Sequence, residues 1–210
     1  MTLGDAIGAV ITNQFGDRYF HDVNGSAFNR VGSEALYKKH FADNLFHKNT
    51  LFIIVGTDSG LLPRYLMAAG IPEGARYLFV ELPGILDRLS GLIPPEEIDE
   101  KIILTTPDEW MVRAEEIGFQ HYVFLGRMEF YRSIAAEDLH QEAYREVGRQ
   151  LQETLEQGRW KVAATMGGEV FLAQQMKNLA ENRVSAACLK GTFSGHTAVI
   201  LGGGPSLDKI

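Results

Sequence analysis

Short apolar runs without alternation of polar and apolar residues dominate the middle of the chain. They cover residues 51–55, 77–80, 101–104 and 122–125. Strands that are apolar on both faces are typical of a parallel sheet that is covered by helices on both sides. Segments of the right length for crossover helices lie between these runs, at 61–69, 85–92 and 108–117. The pattern predicts an α/β fold with a doubly wound, mostly parallel sheet and helices on both of its faces.

The flanking segments divide the chain into three parts. Residues 1–35 contain short apolar stretches broken by turn residues, and they are expected to form a β-rich N-terminal segment with short strands or a hairpin. Residues 36–190 are assigned to the Rossmann-like α/β domain, and residues 191–210 to a linker followed by the first strand and glycine turn of a truncated second domain. We therefore expect the chain to be a fragment of a longer protein.

Helical spacing of apolar residues marks the segments outside the sheet. Ser33 is placed to cap a helix over about 34–46. Apolar residues at four-residue steps predict a second helix over about 137–157, which ends at Gly158. A short strand at 161–164 is expected next, and a further apolar stripe at 171–180 follows the glycine pair at 167–168. Residues 197–201 are predicted to form a strand.

Charge and composition exclude several classes of protein. The 210 residues include 20 Lys and Arg against 27 Asp and Glu, a net charge of −7, and the basic residues are scattered. We therefore expect no nucleic-acid partner. No apolar run approaches the roughly 20 residues that cross a bilayer, so no membrane insertion is expected. Cys188 is the single cysteine and cannot form an internal disulfide, which fits a cytoplasmic protein. The six histidines show no metal-ligand spacing, so no metal site is assigned.

The first candidate site is the turn at residues 56–60, Gly-Thr-Asp-Ser-Gly, which follows a buried strand and opens a helix. Such a turn presents free backbone N–H groups to an anion. Glu81 ends the next strand, where a dinucleotide-binding fold places an acid on a ribose hydroxyl. One interpretation is a nucleotide crevice that is formed by Gly56, Asp58, Gly60 and Glu81. The other is a tight turn whose polar side chains cap the helix, because Asp58 would repel a phosphate.

The second candidate site is the glycine-rich turn that contains Gly202, Gly204, Pro205 and Ser206. Together with Phe193, residues 197–209, Thr-Ala-Val-Ile-Leu-Gly-Gly-Gly-Pro-Ser-Leu-Asp-Lys, resemble the entry to the central domain of the motility accessory factor family. The preceding region, with residues 33–36 and the strand and turn at 51–60, is also similar to the N-terminal domain of that family.

The resemblance implies a bacterial transferase that moves nonulosonic acids of the pseudaminic or legionaminic type from a CMP-activated donor to serines and threonines of flagellin. In that family the Gly-Pro-Ser turn lies near the CMP donor, which would assign donor contacts to Gly202, Gly204, Pro205 and Ser206. The implied partners are flagellin and a C-terminal catalytic domain. The chain itself is then expected to be an accessory domain without transferase activity, and its sequence identifies no catalytic residues.

Two other functions stay open. The turn at 56–60 and Glu81 fit a nucleotide- or S-adenosylmethionine-dependent enzyme. The predicted helix 137–157, with Leu139, Leu151 and Leu155, fits a non-catalytic interaction module that packs on a partner, although ordinary burial against the sheet explains the same apolar seam. Arg127 follows the predicted fourth strand, where a phosphate or carboxylate contact is possible in this fold class.

Overall fold

The computed structural model describes residues 8–137, 142–181, 190–191 and 194–196. The chain divides into two compact units, Met1–Ala163 and Ala164–Ile210. The strands described are β1 Val10–Thr12, β2 Arg18–Phe20, β3 Leu51–Val55, β4 Arg76–Val80, β5 Ile102–Thr105 and β6 Met128–Arg132. The helices described are α1 His21–Asn24, α2 Ser33–Phe41, α3 Leu61–Ala69, α4 Pro83–Leu89, α5 Trp110–Glu116, α6 Phe119–Phe124, α7 Ile134–Glu137 and α8 Glu142–Glu181. The domain boundaries expected at 35 and 190 stay predictions.

A four-stranded parallel sheet forms the centre of the first unit, as the apolar runs predict. Its strand order is β5-β4-β3-β6, and every pair is parallel. Leu51 at the start of β3 lies level with Arg76 on one side and Met128 on the other. The chain therefore builds outwards from β3 in one direction and then returns to its other side, which confirms the predicted Rossmann-like class.

Two hydrophobic cores cover the two faces of this sheet. Phe52 and Ile54 of β3 share one core with residues of α2 and α3. Ile53 and Val55 point to the opposite face and share the other core with residues of α5, α6 and α8. All four side chains are fully buried. This explains why β3 has no alternation of polar and apolar residues, since both faces of a central strand must be apolar.

The N-terminal hairpin confirms the expectation of short strands before residue 35. β1 pairs antiparallel with β2, and Val10 lies opposite Phe20. Asn13 holds the connecting turn, because its side-chain oxygen accepts hydrogen bonds from the N–H groups of Phe15 and Asp17, both at 2.9 Å. β1 and β2 form a two-stranded sheet that is separate from the four-stranded parallel sheet.

The fourth parallel strand is not where the sequence predicts it. Residues 122–125 were expected to be this strand, but they belong to α6 and the turn after it. The strand that pairs with β3 is Met128–Arg132, in which Glu129 and Arg132 interrupt the apolar pattern. β6 lies at the edge of the sheet and four of its five residues are only half-buried, so it needs no continuous apolar run.

The long helix α8 is the second correction. The sequence predicts a helix that ends at Gly158, a strand at 161–164 and a break at 167–168, whereas α8 continues from Glu142 to Glu181. A glycine inside a helix costs only about 1 kcal/mol relative to alanine. The helix therefore continues through Gly158, Gly167 and Gly168, where the sequence predicts an end or a break.

The residue that caps the start of α2 differs from the sequence prediction. Ser33 is the first residue of the helix and not its cap. The carboxylate of Asp17 takes that role, since it accepts hydrogen bonds from the Ser33 N–H at 2.8 Å and from the Ser33 hydroxyl at 2.6 Å. A carboxylate at a helix N-terminus satisfies a free N–H and is favoured by the helix dipole. Asp17 therefore links the hairpin to α2.

Candidate functional site

The place where the strand order reverses lies between β3 and its neighbour β6. In open parallel sheets, ligands bind in the crevice at the carboxyl ends of the strands that flank such a reversal. β3 leads there into the turn Gly56–Gly60, and β6 leads into Ser133 and α7. The Ser133 N–H donates to the carbonyl of Val55 at 2.9 Å, so both segments leave the sheet side by side. The predicted turn therefore lies where a ligand crevice is expected.

The backbone of this turn is left-handed over most of its length. The φ angles are +79° at Gly56, +51° at Asp58, +58° at Ser59 and +86° at Gly60. Glycine adopts such angles freely, whereas Asp58 and Ser59 each cost of order 1–3 kcal/mol. A side chain at Gly56 would also place its Cβ 2.5 Å from the Ser133 hydroxyl. The strained conformation therefore depends on the contacts of the two polar residues.

Asp58 makes most of these contacts. It is fully buried, and its carboxylate accepts hydrogen bonds from the N–H groups of Ala135 at 2.8 Å and Ile134 at 3.0 Å. The Asn24 amide and the Tyr37 hydroxyl also donate to it, both at 3.0 Å. Burial raises the pKa of the Asp58 carboxyl, and the hydrogen bonds that it accepts offset part of the shift. The carboxylate of Asp58 therefore occupies the crevice where the strand order reverses, between β3 and β6.

Ser59 and Asn24 extend this network to the N-terminal hairpin. The Ser59 hydroxyl donates to the Asn24 side-chain oxygen at 2.7 Å. The N–H of Phe20 donates to the Ser59 hydroxyl oxygen at 3.1 Å. Asn24 and Ser59 are both buried, so each polar atom must have a partner inside the protein. The hairpin, the turn and α7 are thus joined by one set of buried hydrogen bonds.

Glu81 forms a second buried carboxylate centre at the end of β4. One of its oxygens accepts from the Thr57 N–H at 2.8 Å and from the Thr57 hydroxyl at 2.7 Å. The other accepts from the Leu82 N–H at 2.8 Å and from the Tyr144 hydroxyl of α8 at 2.7 Å. Burial raises the pKa of Glu81, and burial together with the charge of Glu81 raises the pKa of Tyr144 well above its ordinary value. Both oxygens of Glu81 are thus engaged within the protein.

The structure brings four of the predicted site residues to one edge of the sheet. Gly56, Asp58 and Gly60 share the turn, and Thr57 connects that turn directly to Glu81. Ligand binding by these residues stays a prediction. The described contacts show their side chains bound to other groups of the protein. The predicted donor-site residues Gly202, Gly204, Pro205 and Ser206, and Cys188, lie outside the described residues.

Four partners of the buried carboxylates were not identified from the sequence: Asn24, Tyr37, Ser133 and Tyr144. Only Tyr144 carries a signal that could have identified it. It lies three residues before Val147, at helical spacing from the buried stripe of α8, and a tyrosine at such a position places its ring in the core and needs an acceptor for its hydroxyl.

The suggested anion contact from Arg127 is wrong in its location. Arg127 precedes β6, and its carbonyl accepts a hydrogen bond from the Leu51 N–H at 3.0 Å. It therefore lies at the amino ends of β3 and β6, on the opposite edge of the sheet from the crevice. The error follows from the misplaced fourth strand.

The described residues contain no candidate metal site and no candidate membrane span. Within the described parts of the chain, no group of three or more His, Cys, Asp or Glu side chains is arranged to hold a metal ion. No helix in those parts combines the length and the apolar character needed to cross a bilayer. Comparison of the chain with protein-family models, with curated proteins and with solved structures finds no match.

Proposed function

We propose that this chain is the N-terminal accessory domain of a motility accessory factor-type glycosyltransferase and that it does not catalyse the sugar transfer itself. The whole enzyme transfers a nonulosonic acid of the pseudaminic or legionaminic type from a CMP donor to serines and threonines of flagellin. The observation that carries the non-catalytic role is the self-filled crevice at the strand reversal, where Asp58 and Glu81 are fully buried and hydrogen-bonded within the protein.

The cost of opening this crevice supports the accessory role. An anionic phosphate there would compete with the Asp58 carboxylate for the N–H groups of Ile134 and Ala135. Removing the partners of a buried charge costs of order 3–5 kcal/mol, which a ligand would have to offset before any net binding. The buried hydrogen bonds from Asn24 and Tyr37 add to that cost. A crevice of this kind suits a rigid scaffold better than a substrate site.

The resemblance of residues 197–209 supports the assignment to the family. In that family the Gly-Pro-Ser turn lies near the CMP donor, so Gly204, Pro205 and Ser206 are the residues that we assign to the donor site. Bond formation then belongs to a C-terminal catalytic domain. The accessory domain positions that domain or flagellin.

A transfer assay tests this proposal. The 210-residue chain and the product of the whole natural gene are each incubated with CMP-pseudaminic acid and flagellin, and glycosylation is measured by mass spectrometry. We expect transfer by the longer protein and none by the chain alone. In the longer protein, Ser206→Ala is expected to reduce transfer, whereas the control Ser90→Ala, at an exposed position, leaves it unchanged. Transfer by the chain alone, or a natural gene that ends at Ile210, contradicts the proposal.

A second candidate function, a non-catalytic interaction module, is favoured by Trp160. This side chain of α8 is 72% exposed, the highest fraction among the exposed large apolar side chains of the described residues. Two residues of the predicted seam, Leu151 and Leu155, are buried in the core that covers the sheet, and the third, Leu139, lies outside the described residues. Light scattering tests this function through self-association of the chain. Self-association that is lost in Trp160→Gln and kept in the control Val112→Gln would support it. A monomer at every concentration would count against self-association.

A further inference from the structure

A cleft of about 430 Å³ lies between the N-terminal hairpin, the start of α2 and one face of α3. Its volume falls in the range of about 300–1,000 Å³ that is typical of small-molecule sites. None of the residues that line the cleft donates a hydrogen bond to Asp58 or Glu81. The cleft is a separate feature of the surface of the first unit.

The two acids that line this cleft already have partners. Asp17 accepts from the Ser33 N–H and hydroxyl, and from the Asn13 amide at 2.7 Å. Glu34 pairs with Lys38 at 2.6 Å. Both carboxylates are therefore held by hydrogen bonds within the protein.

The three cations of the cleft differ in what they bind. Lys38 is paired with Glu34. Arg64 donates to the carbonyl of Leu92 at 2.7 Å and lies 3.5 Å from a Glu97 oxygen. The guanidinium of Arg18 contacts no acceptor among the described residues, although it follows Asp17 directly. Lys38 and Arg64 are each paired with a glutamate, whereas Arg18 is not paired with one in the described part of the chain.

Apolar side chains of α3 also line the cleft. α3 contributes Leu61, Ala68 and Ala69, and the ring of Tyr65 borders the same space. The ring of Tyr65 is fixed from behind, since it packs on Tyr37 with ring centroids 5.3 Å apart. The lining therefore combines Arg18, which has no described acceptor, with apolar groups of α3.

We propose that this cleft binds a small organic anion, a carboxylate or a phosphate monoester with an apolar body. Its charged group pairs with Arg18, because a guanidinium presents a planar set of donors that matches either group. Its body lies against α3 between Ala68 and Tyr65. This site goes beyond the proposed function and does not depend on it, since transfer to flagellin is assayed without reference to the cleft.

Titration of the 210-residue chain tests the proposal. The probes are benzoate and phenyl phosphate, with benzyl alcohol as the neutral match and inorganic phosphate as the anion without a body. Binding is followed by shifts of the backbone ¹H–¹⁵N signals of Arg18, Glu34 and Tyr65. At least one organic anion should saturate these shifts. The alcohol and the inorganic ion should bind roughly tenfold or more weakly, the factor for losing one charge-assisted hydrogen bond or a comparable apolar contact.

Arg18→Gln is the decisive variant, because the side chain is exposed and its removal breaks no described contact. It should weaken binding of the organic anions roughly tenfold or more. Arg30→Gln, at another exposed position outside the cleft, should leave the affinity unchanged. The proposal is overturned if neither organic anion saturates, if benzyl alcohol binds as tightly as benzoate, or if Arg18→Gln binds as the unmodified chain does. Whichever organic anion binds more tightly identifies the charged group.

Discussion

Replacement of Tyr144 by phenylalanine isolates one hydrogen bond of the buried Glu81 centre. The ring stays in the core, and only the hydroxyl that donates to Glu81 at 2.7 Å is lost. A hydrogen bond to a charged group contributes about 1.5–3 kcal/mol. The free energy of unfolding should therefore fall by about 2 kcal/mol at neutral pH, which lowers the melting temperature by roughly 4–8 °C for a chain of this size.

The loss should depend on pH in a defined direction. Burial already raises the pKa of Glu81, and the hydrogen bond from Tyr144 is one of the contacts that lower it again. Its removal raises the folded-state pKa further above the unfolded value. An acid whose folded pKa is raised adds stability as the pH falls through that pKa and loses it as the pH rises. The deficit of Tyr144→Phe should therefore shrink on acidification, when Glu81 is protonated.

Urea unfolding followed by circular dichroism at pH 5 and pH 8 measures this difference. Tyr122→Phe is the matched control, since its hydroxyl donates to the neutral carbonyl of Gly74 at 3.1 Å in an exposed setting. That variant should lose about 0.5–1 kcal/mol or less, equally at both pH values. Equal losses in the two variants, or a Tyr144→Phe deficit that is the same at both pH values, would refute a buried charged acceptor at Glu81.

Two further substitutions test the turn. Asp58→Asn keeps the shape of the side chain but turns an amide NH2 group towards the N–H donors that the carboxylate accepts from. We expect the unfolding free energy to fall by about 3 kcal/mol or more. The control Asp43→Asn, at an exposed position, should change it by less than about 0.5 kcal/mol. Gly56→Ala adds a Cβ 2.5 Å from the Ser133 hydroxyl as well as strain at positive φ, and Gly70→Ala adds strain alone, because no atom lies within 4 Å of the Cβ site. The melting temperature of Gly56→Ala should therefore be lower than that of Gly70→Ala. The reverse order would count against the close approach of the Ser133 hydroxyl at Gly56.

The central sheet was predictable where burial on both faces leaves a strong pattern. The bounds of β3 and α3 agree with the predicted 51–55 and 61–69, because an apolar run and two glycine-bounded turns define them locally. β6 was missed since an edge strand tolerates Glu129 and Arg132, while the more apolar residues 122–125 pack as a helix after Gly118, whose φ is +81°. Local pattern cannot distinguish a short buried helix from a strand of equal length.

The position of the candidate site was predictable from the sequence, but the hydrogen bonding of its two carboxylates was not. The placement of the turn and Glu81 at the carboxyl ends of neighbouring strands follows from the parallel topology alone. The partners that engage Asp58 come from α1, α2 and α7, and such long-range hydrogen bonds leave no periodic signal in the sequence. Only the structure could therefore show that the carboxylates are satisfied internally.

Calorimetric titration of the Arg18→Gln chain with NAD and S-adenosylmethionine tests the self-filled crevice most directly, because this variant weakens any contribution from the surface cleft. We predict no saturable heat with either, since Asp58 and Glu81 already occupy the position of a ligand. Saturable binding of one of them, accompanied by shifts of the Thr57 and Ala135 backbone signals, would show that the crevice opens and would contradict the non-catalytic role.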